Sequence, residues 1–322
     1  LRSADDGAKV RPVSSHLFSV LQFDFTPRAG LLVEPADGGW KGAMVIDPKK
    51  CVACGNCVAV CPMGAIYIDP VQNRATVNQD ECVECYTCFR GMSTEHLNPA
   101  MVRTIRKLGK WFRWRFDPEP DVCPTAAITE QELTWPRIVR RAFSDPVVPH
   151  ESTGVHGRGT EEVKTNDVTN RVGPDDAGFT VEFGRPTIGV RFWQIQEMTE
   201  ALAAMGVEFE TRNPVTSLMA DTATGKIRDD ILDEKILSAI VEFKTSLANV
   251  PAILQKVKEV AARLDTVVAV GAAARCDTAG ENRLEEILAR EGFSFIRGKT
   301  NLGLGRASVE QSPPQVAHAS VG

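Results

Sequence analysis

Cysteine spacing constrains this chain more than any other feature. Residues 51–62 read Cys51-Val-Ala-Cys54-Gly-Asn-Cys57-Val-Ala-Val-Cys61-Pro62, an uninterrupted C-x₂-C-x₂-C-x₃-C-P run. A second copy begins at Cys82-Val-Glu-Cys85-Tyr-Thr-Cys88, but Met92 stands where its fourth cysteine belongs. That cysteine reappears downstream as Cys123-Pro124. Its setting, Val-Cys-Pro-Thr-Ala-Ala-Ile-Thr, echoes the Val-Cys-Pro-Met-Gly-Ala-Ile-Tyr that closes the first run. Residues 89–122 therefore read as an insertion between the third and fourth cysteines of the second motif.

This spacing suits thiolates that hold three corners of one iron–sulfur cube and send the fourth to a neighbouring cube. Eight thiolates in two sets of three plus one exceed what a zinc site needs. The split motif leaves open a degenerate second site, with a three-iron cluster or no metal. Nine cysteines of which eight lie in metal-type motifs argue against a disulfide scaffold. The flanks repeat as well. Ala43-Met-Val-Ile-Asp-Pro precedes the first motif and Ala75-Thr-Val-Asn-Gln-Asp the second, and a short apolar run follows each Cys-Pro.

Strand, cysteine loop, short helix and strand, all repeated, resemble the bacterial-type dicluster 2[4Fe–4S] ferredoxins over residues 43–130 of the 322. The resemblance is specific at the cysteines and weak elsewhere. It implies two [4Fe–4S] clusters with crossed ligation. One would take Cys51, Cys54, Cys57 and Cys123, and the other Cys82, Cys85, Cys88 and Cys61. The exchange would explain how Cys123 can lie so far along the chain, since it returns to the first cluster. Each proline after the fourth cysteine fixes φ and removes an N–H where the chain leaves the site.

The remainder bounds the reading. A hydrophobic fraction of 43% and a charged fraction of 25% are those of a globular protein. A net charge of −5 speaks against a general nucleic-acid binder. No apolar run approaches the ~18 residues of a membrane span, and no signal-like start is visible. Cytoplasm is the expected compartment and anaerobic metabolism the expected setting. Residues 1–42 form a leader whose strand, Leu17–Phe25, is expected to pack on the following domain.

Inside the insertion, Met101, Ile105, Leu108 and Phe112 recur at helical spacing, while Arg103, Arg106, Lys107, Lys110 and Arg113 occupy much of the rest. This basic 101–116 helix could cover the cysteine domain, dock an acidic redox partner or lie on an anionic membrane. Residues 131–178 read as a connector, with His150 and His156 as polar loop residues. Its Gly-rich stretch Glu151–Glu162 lacks the spacing of a phosphate loop.

Residues 179–300 read as an α+β sandwich. Strands at 179–183, 207–210, 238–243 and 266–270 alternate with helices near 193–205 and 251–264. That βαββαβ order is the ferredoxin-like, ACT-like sandwich, an architectural name unrelated to iron. A further helix, Asn282–Arg290, precedes Phe293-Ser-Phe-Ile296. The run Gly271–Gly280 reads as a loop at a strand end, with Cys276 as an inert thiol or a nucleophile. Residues 301–322 read as a flexible tail.

No Rossmann fingerprint, nucleophile–base pair or open metal site is legible. The expected function is an iron–sulfur electron-transfer protein or subunit, relaying low-potential electrons to or within a larger oxidoreductase. Two alternatives stand beside it. One is a stand-alone reductase with a substrate or flavin pocket between the Glu151–Arg171 strap and the Gly271–Gly280 loop. The other is a redox or small-ligand sensor.

Overall fold

The computed structural model describes residues 16–22, 44–90, 99–113, 122–150, 171–277 and 280–301. The chain opens with strand β1 (His16–Gln22) and then enters the cysteine-rich domain. That domain holds β2 (Val45–Ile46), α1 (Asn56–Val60), β3 (Ile66–Asp69), β4 (Arg74–Val77) and α2 (Thr87–Arg90). The insertion contributes α3 (Pro99–Trp111), and β5 (Ile128–Thr129) closes the domain. Two small antiparallel sheets pair β2 with β5 and β3 with β4. Met44, Ile46, Ile66, Ala75, Tyr86, Ala127 and Ile128 form its core, together with buried cysteines.

Beyond the domain come α4 (Ile138–Ser144), β6 (Asp176–Phe183), β7 (Val190–Arg191), α5 (Phe192–Ala203) and β8 (Glu208–Phe209). Next are α6 (Pro214–Ser217), a hairpin of β9 (Met219–Asp221) and β10 (Lys226–Ile227), β11 (Lys235–Ile236) and β12 (Ala239–Ser246). The chain continues through α7 (Val250–Ala261), β13 (Val268–Arg275), α8 (Arg283–Arg290) and β14 (Ile296–Asn301). Six strands form one sheet in the order β14-β1-β13-β6-β12-β8. Its pairings β12–β6, β12–β8, β13–β6, β1–β13 and β1–β14 are all antiparallel.

One sheet face carries alternating apolar residues, including Phe179, Val181, Val241, Phe243, Val270 and Ala272, and α5 and α7 close over it with Ile195, Met198, Leu202, Ile253, Val257 and Val260. The two rings of Phe179 and Phe243 stack at 5.1 Å. Asn249 precedes a helix whose second residue, Pro251, has no N–H for an intrahelical bond to lose.

The structure departs from the sequence reading at four places. β1 joins the six-stranded sheet and neither sheet of the cysteine domain. It pairs along its length with β13, so the domain interrupts the path between β1 and the rest of its own sheet. Strand pairing across some 250 residues leaves no local signal in either partner. Gly271 lies inside β13, opposite Thr180, and not in a loop. After Phe293 and Phe295, which pack against the core, comes a strand the sequence reading did not place, Ile296–Asn301, paired with β1.

The fourth departure matters most. The segment read as a connector contains α4, whose two faces hold two different neighbours. Val139 and Phe143 enter the core of the large sheet's domain, where Phe143 meets Phe192 edge-on at 5.4 Å. His150 lies in a loop as expected, but it is buried there against the Phe143 ring, 4.3 Å between centroids. The opposite face turns Arg137, Arg140 and Arg141 toward the second cysteine loop. Arg140 is fully buried and donates to the carbonyls of Gln79, Asp80 and Cys82 at 3.1, 3.0 and 2.8 Å while its Nε pairs with Glu234. Arg191 to Asp80 at 2.6 Å and Lys235 to Glu81 extend the seam. Gly189 (φ +73°) belongs here too, because a Cβ on it would stand 2.7 Å from Met63 Cε.

A buried ion pair broken on one side leaves an uncompensated charge, at a cost of about 3–5 kcal/mol. Glu234→Ala should therefore lower the denaturant midpoint strongly, whereas Glu234→Gln, which keeps an acceptor for Arg140, should cost less. Equal, small effects of the two in chemical denaturation would show that the Arg140 seam carries no stability.

Candidate iron–sulfur centres

The two halves of the cysteine domain repeat each other bond for bond. Asp47 and Asn78 each accept the backbone N–H two residues on, from Lys49 and from Asp80. Cys51 N–H bonds Asp47 O at 3.0 Å, and Cys82 N–H bonds Asn78 O at 3.0 Å. Left-handed backbone recurs at Ala53 and Glu84, at Gly55 and Tyr86, and at Gly64 and Ala126. For a residue with a Cβ this conformation costs about 1–2 kcal/mol. Its recurrence at matching loop positions marks a backbone shaped for a site.

These turns aim N–H groups at sulfur. Ala53 and Ala75 donate to Cys51 Sγ at 3.4 Å, Ala65 to Cys61 Sγ at 3.3 Å and Ala127 to Cys123 Sγ at 3.2 Å. The halves also interlock. Asn78 N–H, leading into the second motif, bonds Ala65 O just after the first at 2.7 Å. Asp47 N–H, leading into the first, bonds Ala127 O just after Cys123 at 2.8 Å. Each fourth cysteine is thereby carried across to the other motif's loop.

Two cavities result. One is lined by Cys51, Cys54, Cys57 and Cys123, with Ile46, Ala75 and Ile128 among its apolar walls. The other is lined by Cys61, Cys82, Cys85 and Cys88, with Met44, Met63 and Ile66 among its walls. Among the described residues no three His, Cys, Asp or Glu side chains converge closely enough for a single metal ion. The thiols instead ring two apolar spaces, with N–H groups on sulfur. That is a donor set suited to iron–sulfur clusters, in which each thiolate meets a different iron.

The second cavity has the heavier polar frame. Glu84, the counterpart of Ala53, is buried and accepts from Arg137 Nε at 2.9 Å and Nη2 at 2.6 Å, and Cys82 Sγ lies 3.7 Å from the same oxygen. Arg137 also bonds Gln79 through its carbonyl at 3.0 Å and its side chain at 2.8 Å. Arg141 stacks on the Tyr86 ring at 3.9 Å, and Arg90 and Arg141 both pair with the buried carboxylate of Asp145. None of these partners stood out in the sequence. The available signals were the acid at position 84, where the first half has alanine, and the Arg137-Ile-Val-Arg140-Arg141 spacing.

The surroundings separate the thiols. Burial pushes Cys57, Cys85 and Cys88 up, with neighbouring cysteines adding to it for Cys57 and Cys88. Burial, then the Glu84 carboxylate, pushes Cys82 to about 12. Cys123 goes the other way, because hydrogen bonds led by the Ala127 N–H outweigh its burial. The pairs felt most strongly agree with the cavities. Cys57 feels Cys54, Cys51 and Cys123, while Cys85 feels Cys61.

Residues 43–91 match the 4Fe-4S dicluster domain family. Ferredoxin-1 of Rhodobacter capsulatus is 38% identical over 65 residues, which are 18% of this chain and 97% of that ferredoxin. No solved structure matches. Through this segment the chain belongs to the dicluster ferredoxin family, and it is an iron–sulfur electron-transfer protein. The described residues contain no helix long and apolar enough to cross a membrane. The Glu151–Arg171 strap and His156 lie outside the described residues, apart from Arg171, which pairs with Glu210 at 2.7 Å. Cys276 is buried just past β13.

Thiols with raised pKa stay protonated in the cluster-free fold as pH climbs past 9, and ionising them opposes that fold increasingly up to about 12. In cluster-free protein under reducing conditions, alkylation read by mass spectrometry should modify Cys123 at lower pH than Cys57, Cys82, Cys85 or Cys88. A common pH profile for all five would contradict these environments.

Proposed function

We propose that the chain holds two [4Fe–4S] clusters and relays low-potential electrons to or within a larger oxidoreductase. Cys51, Cys54, Cys57 and Cys123 would hold one cluster, and Cys61, Cys82, Cys85 and Cys88 the other. The carrying observation is the sorting of eight cysteines into two four-cysteine cavities, each drawing its fourth member from the other motif. When bound, such a cluster takes up and releases single electrons.

The chain's own residues supply the rest. Backbone N–H groups on Cys51, Cys61 and Cys123 stabilise charge on sulfur, apolar walls limit water, and the arginines of α4 hold the second loop in place. The ferredoxin-like, ACT-like reading of the large sheet's domain gives it assembly or gating as its role. The ionic seam through Arg140, which joins it to the second cysteine loop, supports that role.

Anaerobically purified protein should contain about eight irons, four per cube. Single replacements then test the sharing of ligands. The electron paramagnetic resonance spectrum of reduced Cys123→Ala should match that of Cys51→Ala, and Cys61→Ala should match Cys82→Ala. A Cys123→Ala spectrum matching Cys82→Ala would overturn the crossed assignment. About four irons in the unmodified protein would overturn the count of two.

A further inference from the structure

Helix α3 turns its apolar stripe outward. Met101, Ile105, Leu108 and Phe112 fall on one side at 100° per residue. Met101, Leu108 and Phe112 are 45%, 56% and 72% exposed, and Trp111 at the stripe's edge is 81% exposed. The Trp111 and Phe112 rings meet edge-on at 5.1 Å, forming one aromatic knob at the end of the helix. Gly109 is buried and Ile105 half-buried, while Met101, Leu108 and Phe112 stand open.

Charge separates from this stripe. Residues 99–113 contain Arg103, Arg106, Lys107, Lys110 and Arg113 and no acid, in a chain of net charge −5. Lys107, Lys110 and Arg113 are exposed. The 100° step sets Lys110 opposite the stripe with Lys107 beside it, and Arg113 follows the end of the helix. A rigid acidic protein meets one face of a helix, so it would satisfy either the apolar stripe or the cations. An anionic lipid surface satisfies both. The stripe enters the boundary between headgroups and acyl chains, while flexible basic side chains reach back to lipid phosphates. An exposed tryptophan at the stripe's edge is the side chain favoured at that depth.

We propose that α3 lies in the interface of a membrane containing anionic lipid and holds this electron carrier there without spanning it. The docking face belongs to a bilayer, and a protein partner would engage the chain elsewhere.

Holoprotein would be sedimented with vesicles of phosphatidylcholine alone or phosphatidylcholine mixed with phosphatidylglycerol. Binding should require phosphatidylglycerol and fall with added salt. Lys107→Gln with Lys110→Gln should weaken it about thirtyfold, from the loss of two surface charges. Trp111→Ser with Phe112→Ser should weaken it at least tenfold. Cluster absorbance and circular dichroism should stay unchanged in both variants. No binding to either vesicle, or equal binding to both, would overturn the proposal. So would vesicle binding that both double variants leave intact. Loss in these variants of binding to an acidic redox protein, with vesicle binding absent throughout, would assign α3 to a protein partner instead.

Discussion

The arrangement of this molecule depends on one guanidinium. Arg140 is withdrawn from water, and only the carbonyls of Gln79, Asp80 and Cys82 on one side and Glu234 on the other make its burial tolerable. Those carbonyls belong to the loop that presents the second set of thiols. Glu234 belongs to the turn before β11, which pairs with β7 ahead of α5. A shift of either body that broke these bonds would strand a charge in a dry place. The seam therefore acts less as a source of net stability than as a constraint on orientation. Arg137 on Glu84 and Arg141 on Tyr86 repeat the device at the same loop.

The cysteine sites were legible because thiolate spacing is a chemical constraint written locally. C-x₂-C-x₂-C leaves few geometries, and the Cys-Pro echo at Cys123 survived the insertion. The four-strand alternation of the C-terminal part was legible for a similar reason. Phe179, Val181, Val241 and Phe243 follow the period of a strand, and Ile253, Val257 and Val260 that of a helix. What escaped was non-local. The partner of β1 lies about 250 residues away. The bonds of Arg137 and Arg140 to the second cysteine loop span 53 to 61 residues, and that of Arg140 to Glu234 spans 94. Gly271-Ala-Ala-Ala reads as a loop because small residues are poor strand formers, yet β1 and β6 on either side hold that run extended.

The near-repeat of the two cysteine loops sharpens what differs between them. Matching left-handed positions carry Ala53, Gly55 and Gly64 in one half and Glu84, Tyr86 and Ala126 in the other. At two of these three positions the first half has glycine, which adopts the conformation freely, while Ala53 carries a Cβ as Glu84 does. In the second, Glu84 and Tyr86 bear side chains in that conformation, and both contact the arginines of α4. At Tyr86, opposite Gly55, the costlier backbone coincides with a side chain that joins the loop to its neighbour.

The same interlocking explains how the second motif accommodates an insertion. Closure of the domain does not need α3. It runs through Asp47 on Ala127 and through β2 paired with β5, contacts made by the segment after Cys123 with the segment before Cys51. The intervening chain therefore needs only to leave from Cys88 at one cavity and return to Cys123 at the other. Lengthening a loop whose ends are held in this way costs roughly 0.6 kcal/mol per doubling. A basic helix could be added at that small cost because, among the described residues, none of α3 lines the space around Cys51, Cys54, Cys57 and Cys123 or that around Cys61, Cys82, Cys85 and Cys88.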